Sequence, residues 1–87
     1  MYVFHSKPLP SGKRVTLAAN YNEENSSLNI ATSRCSPKDQ FSKKLGRIIA
    51  EGRLEKNGPE YRVALPSPPS YKEFSTIAAE FVAEHYH

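Results

Sequence analysis

The chain has 87 residues, a formal net charge of +3, 38% hydrophobic and 24% charged side chains, and one cysteine. That length holds one domain, the composition suits a globule better than a disordered chain, and no stretch approaches the ~18 apolar residues that cross a bilayer. One cysteine excludes an internal disulfide, and with three scattered histidines it makes a poor metal cage, so neither metal nor cofactor is expected.

Met1-Tyr2-Val3-Phe4-His5 has no basic stretch followed by a long apolar one, so no secretory signal is expected and a cytoplasmic location is. Tyr2–His5 reads as an edge strand, ended by Pro8 and Pro10. Arg14–Ala19 alternates, with Val15 and Leu17 on one side, and Leu28–Thr32 does the same with Leu28 and Ile30. Residues 20–27 between them are polar and turn-rich. A first helix is expected from Ser36 as cap, with Pro37 at its first position and Asp39 three residues after the cap. Its apolar stripe would be Phe41, Leu45, Ile48 and Ile49, and Gly46 would mark a close approach of another backbone. Tyr61–Leu65 reads as a further strand, and residues 65–70 as a Pro-rich connector inside a single domain spanning 1–87. Ser70 and Glu73 form a Ser-x-x-Glu capping box for a second helix whose stripe is Phe74, Ile77, Ala78, Phe81 and Val82.

The order (β)-β-β-α-β-α predicts an α+β fold: an antiparallel sheet of three to four strands with two helices on one face. The other face would be polar and solvated, carrying Arg14, Thr16, Asn29 and Thr32. The expected core is Val15, Leu17, Leu28, Ile30, Phe41, Leu45, Ile48, Ile49, Val63, Leu65, Phe74, Ile77, Phe81 and Val82.

Charge is unevenly spread. Residues 1–19 carry Lys7, Lys13 and Arg14 without an acid, and residues 34–56 carry seven basic residues against Asp39, Glu51 and Glu55. Gln40, Lys43, Lys44 and Arg47 fall at i, i+3, i+4 and i+7, on one face of the first helix opposite its apolar stripe. With that stripe on the sheet, the cations project together into solvent, with Lys38, Arg53 and Lys56 around them. Clustered cations on a rigid element suit phosphates or an acidic protein surface, whereas a plain solvated face needs no partner at all.

Catalytic patterns are thin. Cys35 would precede a helix N-terminus, which lowers a thiol pKa, but lone cysteines more often pack than react. There is no phosphate loop, and no base is placed beside a nucleophile. Pro68-Pro69-Ser70-Tyr71 has the form of a WW-domain ligand, and a connector plus helix cap explains the same residues. No enzymatic activity is expected.

Residues 35–54, Cys35-Ser36-Pro37-Lys38-Asp39-Gln40-Phe41-Ser42-Lys43-Lys44-Leu45-Gly46-Arg47-Ile48-Ile49-Ala50-Glu51-Gly52-Arg53-Leu54, resemble a segment of short bacteriophage and prophage accessory proteins. In those, a β-hairpin runs into a Pro-Lys-Asp-x-Phe-x-Lys-x-x-Gly-Arg helix. The resemblance implies a small phage protein acting by binding in the bacterial host cytoplasm. Its implied role is inhibition of a host defence complex in the anti-CRISPR manner, with a host protein or ribonucleoprotein as partner. The basic composition disfavours mimicry of DNA. Lys43, Lys44, Arg47, Lys38, Gln40, Arg53 and Lys56 are the expected contact surface. The alternative is a sequence-unspecific nucleic-acid-binding module using the same face.

Overall fold

The pleat of two long central strands decides what each side of the sheet can hold. In the computed structural model, which describes residues 1–36, 38 and 40–86, these are β2 (Arg14–Asn22) and β3 (Ser27–Cys35). They pair antiparallel, with Thr16 opposite Ser33, Leu17 opposite Thr32 and Ala18 opposite Ala31. β1 (Tyr2–His5) pairs with β2, and β4 (Tyr61–Ala64) pairs with β3. The sheet order is β1-β2-β3-β4, all antiparallel, and two helices, α1 (Lys43–Asn57) and α2 (Tyr71–His85), complete the expected α+β order.

The hairpin is longer than its alternation suggested. Asn22 Oδ1 accepts from the backbone of Glu24 and Asn25, and Ser26 takes a positive φ of 49°, so residues 23–26 alone make the turn. Asn20 and Asn29, read as loop and strand, face each other across the ladder with an amide hydrogen bond of 3.3 Å.

One face of the sheet carries Val15, Leu17 and Ala19 from β2 with Leu28 and Ile30 from β3. Phe74, Ala78, Phe81 and Val82 of α2 pack on it, and together these residues form the main core. α2 starts as expected: Ser70 Oγ accepts from Glu73 N at 3.2 Å. The connector before it is held by tyrosines. Tyr2 Oη donates to Pro69 O and Tyr21 Oη to Leu65 O. Pro69 is buried, which speaks against the WW-ligand reading.

The position of α1 corrects the expectation of two helices on one face. Side chains alternate along a strand, so Thr16, Ala18, Ala31 and Ser33 point away from the main core. That face is not solvated: all four residues are buried. α1 covers it, with Gly46 set against Thr16 and Ser33, and with Ala50 and Leu54 as the buried residues of the helix. Arg14 and Asn29 belong to this face as expected. Thr32 does not, because two-residue periodicity puts it with Leu28 and Ile30.

Rotating α1 onto Gly46, Ala50 and Leu54 turns the expected stripe away from the sheet. Leu45 is 56%, Ile48 55% and Ile49 38% exposed, so these expected core residues lie outside. Phe41 is only half-buried, and Val63, Leu65 and Ile77 pack at the margin of the core. The helix also starts later than Ser36. Its N-cap is Ser42, whose Oγ accepts from Leu45 N at 3.2 Å. Ser36 Oγ instead accepts from Lys38 N, and Pro37 and Asp39 of the expected cap lie outside the described residues.

Gly46 permits the close approach. A Cβ there would stand 2.6 Å from Thr16 Oγ1 and 3.3 Å from Thr16 Cβ, so the neighbour is a buried side chain rather than the expected backbone. A Cβ on Gly52 would meet nothing within 4 Å. Gly46→Ala should therefore destabilise, because overpacking costs about 1–3 kcal/mol against a helix gain of about 1. Gly52→Ala should stabilise by roughly 0.5–1 kcal/mol. Urea unfolding of the two variants checks the opposite signs.

Candidate functional site

Small residues on both sides set how α1 meets the sheet, and that contact orients everything else on the helix. At 100° per residue, Ile48 and Gly52 lie opposite Ala50, Leu45 lies next to them, and Ile49 sits on the shoulder. The outward surface is thus an apolar strip of Leu45, Ile48 and Ile49. Lys44 flanks it on the Ile48 side, and Lys56 lies in line with it toward the C-terminal end of the helix, both exposed.

The expected cation cluster is divided by this rotation. Lys43, Lys44 and Arg47 are all exposed, yet Lys43 and Arg47 fall toward the sheet side of the helix rather than opposite it. Arg47 Nε donates to Glu51 Oε2 at 3.1 Å, a surface i,i+4 pair worth at most a few tenths of a kcal/mol. Arg53 is committed elsewhere: its Nη1 donates to Thr32 O at 2.8 Å. Beyond Ile30, β4 no longer covers β3, and side chains take its place. Glu60 Oε1 accepts from Thr32 N at 3.0 Å, while Arg53 supplies the donor a strand would have offered. Tyr86 Oη donates to Thr32 Oγ1, and burial pushes the Tyr86 hydroxyl above its ordinary pKa. Lys38 is exposed ahead of the helix, and Gln40 lines a cleft with Thr16, Ser33, Phe41 and Ser42.

At the helix N-terminus the fold gathers a group that linear spacing hides. The Arg14 guanidinium lies 4.0 Å from the centre of the Phe41 ring, and His5 meets the same ring edge-on at 5.9 Å. His5 Nδ1 is 2.9 Å from Thr16 Oγ1. Burial lowers the His5 pKa from its ordinary 6.5, and the positive charges of Lys43, Arg14 and Arg47 lower it further. An aromatic ring thus sits among cations drawn from β2 and α1. The signal was the one-residue-per-face register of β1 against β2, which needs the sheet to be known.

Cys35 ends β3, seven residues before the Ser42 cap, so its thiol is not at the helix N-terminus as expected. Its Sγ lies 3.5 Å from Ser36 O. Among the described residues, no group of three or more His, Cys, Asp and Glu side chains could hold a metal ion. No described helix is long and apolar enough to cross a membrane.

No protein-family model matches the chain, and neither curated proteins nor solved structures provide a match.

The His5 environment has a pH consequence. A histidine whose folded pKa is depressed binds fewer protons than the unfolded chain, so stability rises with pH through this range. The contribution is full above the unfolded value of about 6.5 and is lost as pH falls toward the lower folded value. The urea midpoint should fall between pH 7.5 and pH 5, and His5→Gln should flatten that dependence.

Proposed function

We propose that this chain is a small non-enzymatic binding protein of phage type that inhibits a bacterial defence complex in the host cytoplasm. Its partner is a host protein or ribonucleoprotein whose contact surface is apolar at the centre and acidic at the rim. The observation that carries this reading is the outward exposure of Leu45, Ile48 and Ile49 on a helix already anchored by its other side. Adjacent exposed aliphatic residues on a regular helix are what helix-in-groove recognition uses. Lys44 and Lys56 beside them give charge complementarity, which sets encounter rate and register more than affinity. The phage context comes from the resemblance of residues 35–54.

A second reading keeps the nucleic-acid module. Its supporting observation is the convergence of Arg14, Lys43 and Arg47 on His5 beside the Phe41 ring. Phosphate binding and base stacking would then use this end of α1.

The two readings respond oppositely to two sets of substitutions. Under the inhibitor reading, Leu45→Ser/Ile48→Ser should weaken a nuclease-resistant stoichiometric complex by ~100-fold, since burying each aliphatic chain is worth about 1.5–3 kcal/mol. Its circular dichroism should be unchanged, because both side chains are already outside. Lys43→Glu/Lys44→Glu/Arg47→Glu should mainly slow association. Retention of nucleic acid alone, lost on charge reversal, falling steeply with salt and indifferent to Leu45 and Ile48, would overturn the inhibitor reading in favour of the second.

A further inference from the structure

One cavity of the fold lies away from α1. It is a groove of about 520 Å³ between the β1–β2 connection and the flank of α2. Phe4, Leu9 and Val82 give it apolar walls, and Ala79 and Ala83 on α2 leave its floor open. The strand that borders it is β1, the first in the order β1-β2-β3-β4, with a neighbouring strand on its β2 side only.

The ladder register tells which backbone groups of β1 are turned outward. Ser6 N donates to Val15 O at 2.8 Å, and the same register pairs Phe4 with Leu17 and Tyr2 with Ala19. In an antiparallel ladder such residues direct both backbone groups to the neighbour, and the alternate residues direct theirs away. Val3 and His5 therefore turn their N–H and C=O groups off the sheet, beside the groove.

We infer that β1 and this groove take up an extended apolar peptide segment of a partner protein, added antiparallel as a fifth strand, with an acidic residue at its N-terminal end. A row of alternate backbone donors and acceptors is a template for another strand. Every second side chain of the added strand falls over Ala79 and Ala83, where small residues leave room for aliphatic groups. An antiparallel segment enters at the Ser6 end of β1, where Lys7 lines the groove. Among the described residues Lys7 makes no ion pair, so an acidic side chain there complements the site. A second copy of the chain is the weaker occupant. Two four-residue strands pair over only about 14 Å, and so short a ladder does not by itself bury the roughly 1,200 Å² of a stable dimer.

The test uses the full chain, ¹⁵N-labelled, and the peptide acetyl-Asp-Val-Thr-Val-Thr-Val-amide as probe. Binding should slow hydrogen exchange at the Val3 and His5 amides. Val3→Pro removes an outward N–H, which an edge strand tolerates, and should weaken binding at least tenfold with the remaining spectrum preserved. Ala83→Phe, at an exposed position of α2, should fill the groove and have the same effect. The α1 substitutions Leu45→Ser/Ile48→Ser should leave peptide binding unchanged, which separates this site from the α1 surface. No binding up to millimolar peptide, undiminished binding to Val3→Pro, or protection of these amides through self-association without peptide would each overturn the inference.

Discussion

The close approach of α1 to the sheet is the constraint on which the surface depends. It is possible because Gly46 and Ala50 on the helix meet Thr16, Ala18, Ala31 and Ser33 on the strands, all small residues. Small residues bring backbones close, but each contributes little apolar area. Leu54 is the largest side chain the helix buries, and the Arg53 hydrogen bond to Thr32 O adds a directional tie. The opposite face follows a different plan. There Phe74, Phe81 and Val82 of α2 interlock with Val15, Leu17, Leu28 and Ile30, and the main hydrophobic stabilisation resides in that layer.

This division of labour explains the exposed aliphatics. A helix seated on glycine and alanine needs only Leu54 among its large side chains against the sheet, so Leu45, Ile48 and Ile49 are left on the outer surface. The same rotation carries Lys43 and Arg47 toward β1, where they act on His5. One helix thus presents an apolar strip outward and a positive edge beside an aromatic ring.

Much of the fold was legible in the sequence because its signals were local. Two-residue alternation marked Val15 and Leu17 against Leu28 and Ile30, and Ser70 with Glu73 marked the start of α2. The orientation of α1 was not legible by the usual rule that the apolar stripe faces inward. Its true seam, Gly46-Ala50-Leu54, is weakly apolar. It makes sense only beside the matching small residues of the hairpin's other face, which is a tertiary relation. The candidate site suffered from the same cause: Arg53 reads as one more helix cation until β4 is seen to stop short of Thr32, and Phe41 reads as core until Arg14 is placed on its ring.

The central claim is that α1 packs through Gly46, Ala50 and Leu54 and leaves Leu45, Ile48 and Ile49 in water. Methyl relaxation in the presence of a soluble paramagnetic agent, on the free protein, tests it most directly. The methyl groups of Leu45 and Ile48 should be strongly broadened, those of Ile49 less so, and those of Leu54 and Ile30 protected. Protection of Leu45 and Ile48 with broadening of Leu54 would contradict it and would place the expected stripe back on the sheet.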